Sequence, residues 1–343
     1  MSKQILVTGG CGYIGSHTCV ELFEAGYEPI IVDDLSNSEP TILEGIEKIC
    51  SKKITFYQVD CLDSSKLEDV FKKHSFAAVI HFAALKAVGE SVHKPLDYYQ
   101  NNLGSLINLL YLMRKYSVEN IVFSSSCTVY GQADVLPVTE QTPRKAATSP
   151  YGATKQMCED ILRDSISAYG CFKGIALRYF NPIGAHPSAL IGELPRGIPN
   201  NLLPLVTQTA AGIRPMLNVF GNDYNTPDGS CIRDYIDVVD LAKAHVMAVD
   251  RMCQGRSKAN FEIFNIGTGR GVSTIELIKT FEEVNHLKLN WQIVARRDGD
   301  IEAVWADTSY SNNELGWKAT RPLSETLKSV WKWQQNITFA LRK

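Results

Sequence analysis

The chain has 343 residues, 45% apolar and 21% charged, an ordinary globular composition, and at about 150 residues per domain its length predicts two domains. Its 35 basic and 37 acidic residues leave a formal charge of -2, which argues against nucleic acid or anionic membrane as partners, and no apolar run reaches the ~18 residues of a membrane helix. Nine cysteines without a C-x-x-C pair, and a start without a signal-peptide pattern, predict a reduced, cytoplasmic protein with neither a disulfide framework nor a metal site.

Gln4–Thr8 reads as a first strand with a continuously apolar core, Ile5-Leu6-Val7. Gly10-Cys11-Gly12-Tyr13-Ile14-Gly15 follows as G-x-G-x-x-G, with Gly9 extending it, and opens a helix over Tyr13–Ala25. Between a strand and a helix this pattern is a dinucleotide fingerprint: glycines permit the tight turn and let the backbone approach a pyrophosphate, which accepts from the unpaired N–H groups of the helix start. Gly9, Gly12, Tyr13, Ile14 and Gly15 are therefore candidate cofactor contacts. The second strand, Glu28–Asp33, ends on Asp33, close to where an acidic residue grips adenosine ribose hydroxyls. Its charge repels a 2′-phosphate, and the loop that follows, Asp34 to Glu39 with Asn37 in it, contains no Lys or Arg, so NAD is expected over NADP. The third strand, Ile54–Asp60, ends on Asp60, equally suited to forming a turn and to accepting from an adenine amine.

Further along, a helix at Ser64–His74, a strand at Ala78–Phe82, a helix at Pro95–Tyr116, a strand at Asn120–Ser125, a helix at Tyr151–Tyr169 and a strand at Lys173–Arg178 continue the alternation. Six such strands predict an α/β fold with a doubly wound parallel Rossmann sheet whose ligands sit beyond the strands' carboxyl ends. Ser124-Ser125-Ser126 closes the fifth strand at that edge. Tyr151 and Lys155, spaced i, i+4, share a helix face, and an ammonium held near a phenol favours the phenolate needed for proton transfer. Taken singly, the tyrosine, the lysine and the serines also suit packing, a solvated face and a strand-end cap.

After Arg178 the rhythm changes. Prolines and glycines crowd Phe180 to Asp237, which fits a smaller C-terminal substrate-binding domain with the character of a lid. A strand at Phe261–Gly267 and helices at Ser273–Val284 and Leu323–Gln335 follow. The expected division is 1–180 for the NAD-binding Rossmann domain and 181–343 mainly for the second, with segments near 236–267 returning to the first.

Thr8-Gly9-Gly10-Cys11-Gly12-Tyr13-Ile14-Gly15 with Ser126, Tyr151 and Lys155 resembles the extended short-chain dehydrogenase/reductase family. The strings His81 to Ser91, Arg178 to Pro182, Gly197 to Leu202, Phe220 to Tyr224 and Arg233 to Ile236 resemble its sugar-nucleotide epimerase branch, and the match runs from about Lys3 to the terminal helix. The resemblance implies a homodimeric isomerase, paired through Pro95–Tyr116 and Tyr151–Tyr169, that interconverts UDP-galactose and UDP-glucose with bound NAD. It implies that Tyr151 takes the proton of the sugar 4-hydroxyl as the C4 hydride moves to the nicotinamide, that Ser126 bridges the same oxygen, and that Lys155 tunes Tyr151 and holds the nicotinamide ribose. Phe82, Lys86, Asn101 and Tyr179 would line the cofactor; Asn181, Asn201, Leu202, Phe220, Arg233, Tyr235, Arg297 and Asp300 would hold UDP. The 4-keto sugar would swing about its diphosphate and take the hydride back on the other face.

Val304 stands where the family often has Tyr beside the hexose, so UDP-GlcNAc and UDP-GalNAc are expected as further substrates. Ala84, Cys127 and Asp237 also depart from the family's usual residues, and for Asp237 the sequence offers no account. Two rivals share the scaffold. Dehydratases and decarboxylases place carboxylates after the strand-five hydroxyl, where this chain has Cys127 and Thr128, and a silent NAD-sensing protein would tolerate loss of Tyr151 or Lys155, both of which are present.

Overall fold

The apolar runs form the expected parallel sheet, joined by one strand more than the first half of the sequence supplies. The computed structural model describes residues 2–197, 199–297 and 300–340. The first half runs β1 (Gln4–Thr8), α1 (Tyr13–Glu24), β2 (Glu28–Asp33), α2 (Thr41–Cys50), β3 (Thr55–Gln58), α3 (Ser64–Lys73), β4 (Phe76–His81), α4 (Val88–His93), α5 (Pro95–Lys115), β5 (Asn120–Ser124), α6 (Pro150–Tyr169) and β6 (Lys173–Tyr179). The second runs β7 (Asn181–Ile183), α7 (Leu202–Ala210), β8 (Leu217–Phe220), β9 (Ile232–Arg233), β10 (Tyr235–Asp237), α8 (Val238–Cys253), β11 (Phe261–Ile266), β12 (Val272–Ser273), α9 (Thr274–Asn285), β13 (Trp291–Val294), β14 (Ala303–Val304) and α10 (Leu323–Ala340).

The main sheet has seven strands in the order β11-β6-β5-β4-β1-β2-β3. The seventh, β11, pairs in parallel with β6 from Phe261 opposite Gly174 to Ile266 opposite Tyr179. Chain order reverses between β1 and β4, which opens a crevice at their carboxyl ends. There Thr8 Oγ1 and His81 Nδ1 share a 2.7 Å hydrogen bond. Apolar cores fill both faces of the sheet: Val20, Leu22, Leu241 and Val249 from α1 and α8 on one side, Leu106, Met113, Leu162 and Ile166 from α5 and α6 on the other. A separate core built on Leu203, Val219, Phe281 and Leu327 holds the second unit together.

Helix α8 is the main element the sequence reading omits. It is buried nearly all round, so it lacks the polar stripe by which a surface helix is recognised. Its N-cap explains Asp237: one carboxylate oxygen accepts from Val239 N at 2.8 Å and the other from Thr326 Oγ1 of α10 at 2.8 Å. Strand β3 is shorter than expected and α10 longer, while α2, α4 and α7 lie in stretches to which the sequence reading assigns no helix. Among the described residues no helix is long and apolar enough to cross a membrane.

Candidate functional site

The crevice at β1 and β4 is shaped by absent side chains. Gly9 has φ +71°, and a Cβ there would lie 2.7 Å from Ala83 N in the loop after β4. A Cβ on Gly15 would lie 2.2 Å from Gly9 O, so the helix seats directly on the turn. Gly12 caps α1 with no side chain, and the first turn carries no acidic residue, which leaves the helix start to an anion. Ile14 packs on the core, whereas Tyr13 turns away and donates to Gly184 O at 2.6 Å.

Asp33 closes the far side of the crevice. Its Oδ2 accepts from Cys11 N at 3.0 Å, and its Oδ1 accepts from Leu35 N at 2.9 Å and Ser38 Oγ at 2.8 Å. Burial raises its pKa and these hydrogen bonds oppose the rise. Asn37 and Asp60 are exposed; Asp60 accepts from Leu62 N at 2.8 Å, the turn-forming role. The sequence reading missed Arg196, which comes from the second unit onto this loop and donates to Ser36 O at 2.9 Å and Ser38 O at 2.8 Å.

Toward the middle of the crevice, Phe82 packs 4.7 Å from the His245 ring. Lys86 Nζ lies 3.7 Å from Glu193 Oε1, and Asn101 donates to Asn102 Oδ1 at 3.0 Å. Asn102, another residue the sequence reading missed, is buried and donates to Leu85 O and Thr154 Oγ1, both at 3.0 Å, tying the loop after β4 to α6.

At the end of β5, Ser126, Tyr151 and Lys155 converge. Lys155 is buried, donates from Nζ to Ser124 O at 2.7 Å, and lies 5.8 Å from the Tyr151 ring centre. Burial lowers its pKa to about 8. Burial, then Tyr179, holds the Tyr151 phenol above its ordinary range, and a hydrogen bond with Ser126 pulls it down. This reverses the direction expected from Lys155 alone, because both side chains are desolvated and the ammonium is engaged by Ser124 O. Tyr179 is hydrogen-bonded to Ser124 Oγ.

Behind these groups lies a buried pair with no motif to announce it. Glu159, one turn beyond Lys155 and fully buried, accepts from Ser125 Oγ at 2.6 Å, from Arg178 Nε at 2.9 Å and from Arg178 Nη2 at 2.6 Å. The available signal was Arg178 itself, a charge ending an apolar strand and therefore needing a partner.

The second unit brings two guanidinium groups onto one carboxylate. Asp300 Oδ1 lies 3.5 Å from Arg233 Nη2 and accepts from Arg297 Nη2 at 2.9 Å; the Arg297 guanidinium also lies 5.6 Å from the Phe220 ring centre. This excess of positive charge suits a diphosphate. Arg233 is positioned by buried Asp234, which accepts from Thr268 N at 2.8 Å, Thr268 Oγ1 at 2.6 Å, and Gly269 N and Ala306 N at 3.2 Å each. Tyr235 is buried in the second unit's core, and Asn181 N donates to Asp234 O at 2.9 Å. Asn201 caps α7 ahead of Leu202 and donates to Glu193 Oε1 at 2.6 Å. Ile198 of the same string lies outside the described residues. Val304 pairs in register with Arg233 and packs with Val129, Tyr130 and Phe180, while Cys127 lies against the same cluster.

A doubly wound sheet with this glycine turn and a Ser, Tyr and Lys set at β5 and α6 defines an extended short-chain dehydrogenase/reductase. A family model described as GDP-mannose 4,6 dehydratase matches residues 6–330. The chain belongs to the UDP-glucose 4-epimerase family within that class: it is 50% identical over 334 residues to the UDP-glucose 4-epimerase of Dictyostelium discoideum, covering 97% of this chain and 96% of that one. Two solved relatives superpose closely. The UDP-glucose 4-epimerase of Bifidobacterium longum in complex with NAD+ and UDP has TM-score 0.93 at 47% identity, covering 97% of this chain and 98% of that one. That of Stenotrophomonas maltophila with bound NAD and formylated UDP-arabinopyranose has TM-score 0.95 at 46% identity, covering 98% and 99%.

Proposed function

We propose that this protein interconverts UDP-galactose and UDP-glucose by transient oxidation at sugar C4, with NAD as a resident cofactor. The observation that carries this reading is the convergence of Ser126, Tyr151 and Lys155 beside the glycine crevice, with Cys127 and Thr128 where elimination chemistry would need carboxylates.

The crevice fits NAD. Gly9 and Gly15 leave no room for a Cβ, the start of α1 is uncapped by any side chain, and Asp33 Oδ2 has one protein donor and a lone pair to spare for a ribose hydroxyl. Asn37 and Asp60 would border the adenosine, Phe82, Lys86, Asn101 and Tyr179 would line the path toward Lys155, and Lys155 would hold the nicotinamide ribose. When bound, NAD supplies the acceptor that takes the C4 hydride and gives it back. Tyr151 Oη accepts the 4-hydroxyl proton, Ser126 Oγ bridges the same oxygen, and the Lys155 charge opposes the burial penalty on the phenolate. Asn181, Asn201, Leu202, Phe220, Arg233, Tyr235, Arg297 and Asp300 grip UDP, so the 4-keto sugar can turn about its diphosphate without leaving. Denatured protein should release NAD in stoichiometric amount, measured by enzymatic assay of the supernatant; NADP in its place, or activity only after NAD is added, would contradict the reading.

UDP-GlcNAc and UDP-GalNAc belong to the same proposal. Valine at 304 omits the phenol ring that would wall the hexose space, and an N-acetyl group must fit in both sugar orientations. Measured as kcat/KM for both sugar pairs, Val304→Tyr should lose N-acetyl turnover selectively, by more than about ten-fold, while keeping the plain hexoses. No N-acetyl activity in the wild type, or an unchanged ratio in the variant, would mean that Val304 is not the wall. A second copy of the chain is the proposed cover for Leu96, Ile107, Tyr111 and Met157, large apolar side chains left exposed on α5 and α6.

A further inference from the structure

Arg196 contacts the loop after Asp33 from a distant part of the chain, and it does so with all three guanidinium nitrogens. Nη1 donates to Ser36 O at 2.9 Å, Nη2 to Ser38 O at 2.8 Å and Nε to Glu39 Oε1 at 3.0 Å. A rigid planar fork suits two carbonyls and a carboxylate in this way, and a lysine offers no equivalent. The ion pair with Glu39 is well exposed on both sides and contributes little, so the carbonyl contacts carry the interaction.

The loop needs holding. Leu35 sits at φ +62°, a conformation that a bulky side chain rarely adopts and that persists where the surroundings over-determine it. Asp33 restrains the loop from inside through Leu35 N and Ser38 Oγ, and Arg196 restrains it from outside through Ser38 O. The orientation of Asp33, the proposed ribose anchor, is thereby tied to Arg196 through Ser38.

The other end of the Arg196 segment reaches the proposed UDP site. Glu193 Oε1 accepts from Asn201 Nδ2 at 2.6 Å at the start of α7 and lies 3.7 Å from Lys86 Nζ, and the Glu193 carbonyl accepts from Trp333 Nε1 of α10 at 2.9 Å. One short stretch of chain thus touches the adenosine-side loop, a proposed cofactor residue and a proposed uridine residue.

We infer that Arg196 is a positioning residue that straps the adenosine-side loop shut, and that filling the UDP site tightens the strap and slows the release of NAD. This rests on the reading of the crevice as an NAD site. A ligand at one site alters release at the other only through an element that both bias, and the stretch from Glu193 to Arg196, joined to Asn201 by the Glu193 carboxylate, is that element.

The test follows NAD leaving the purified holoenzyme, with released NAD trapped by a second dehydrogenase, with and without saturating UDP. In the wild type UDP should slow release. Arg196→Ala should release NAD about ten-fold faster, the loss of one to two charge-assisted hydrogen bonds, and should lose the UDP effect. Arg196→Lys should behave like the alanine variant, because charge without the fork cannot reach both carbonyls. At saturating NAD both variants should regain wild-type kcat and melting temperature, which separates the strap from a general defect in folding. Unchanged release in Arg196→Ala, or faster release with the UDP effect intact, would overturn the coupling while leaving the functional reading in place. A wild type that carries no NAD would overturn both.

Discussion

Tyr151→Phe should reduce turnover by about 10²–10⁴-fold, the usual contribution of a positioned acid or base, while the protein keeps its fold, its NAD and its affinity for UDP. The substitution removes one oxygen from a buried ring and leaves the packing as it was. Tyr151 is buried beside Ser126 and Tyr179, so few other groups stand close enough to accept the proton. Burial holds the phenol in its neutral form in the protein alone, so the reaction depends on positive charge being brought to it, and Lys155 with its pKa lowered to about 8 is the protein's own source. Steady-state kcat, calorimetric UDP binding and NAD content should be measured together: a large loss in the first with the other two unchanged is the expected pattern. Turnover near wild type would remove Tyr151 from its role.

Arg178→Met should be the most destabilising of the substitutions considered, at about 3–5 kcal/mol, the range for breaking a buried ion pair by removing one partner. Glu159 is fully buried and would be left with Ser125 Oγ as its near donor and Arg144 Nη1 at 3.7 Å. The double variant Arg178→Met with Glu159→Met removes the stranded charge and should recover most of the loss in urea unfolding, falling short by the hydrogen bond to Ser125, about 1 kcal/mol. A single variant as stable as wild type, or a double variant no better than the single, would mean that the pair does not act as a unit. The expected loss concerns the end of β5, because Glu159 is what fixes Ser125 between Ser124 and Ser126.

Much of the site is legible in the sequence where local rules bind tightly. The turn at Gly9 and Gly15 tolerates no side chain, so glycine is written there and readable. Asp33, Ser126, Tyr151 and Lys155 stand at strand ends and helix starts that apolar periodicity locates within a residue or two. What was not legible depends on contacts far apart in the chain. Asn102, Asp234 and Glu159 act by satisfying polar groups brought in from other elements, Asn102 as a donor and the two carboxylates as acceptors, and no spacing rule marks them. Arg196 reads as a solvated loop charge until the fold lays it on Ser36 and Ser38. Helix α8 escaped for the opposite reason, since its burial erased the stripe that would have shown it.

The central claim is that the C4 hydrogen leaves the sugar and returns to it within one closed site. The most direct measurement incubates the purified protein with UDP-galactose deuterated at sugar C4, with no nucleotide added, and follows the products by mass spectrometry and NMR. UDP-glucose that retains deuterium at C4 is the expected product; no UDP-glucose, or UDP-glucose whose C4 label has exchanged with solvent, would rule out hydride return within the site.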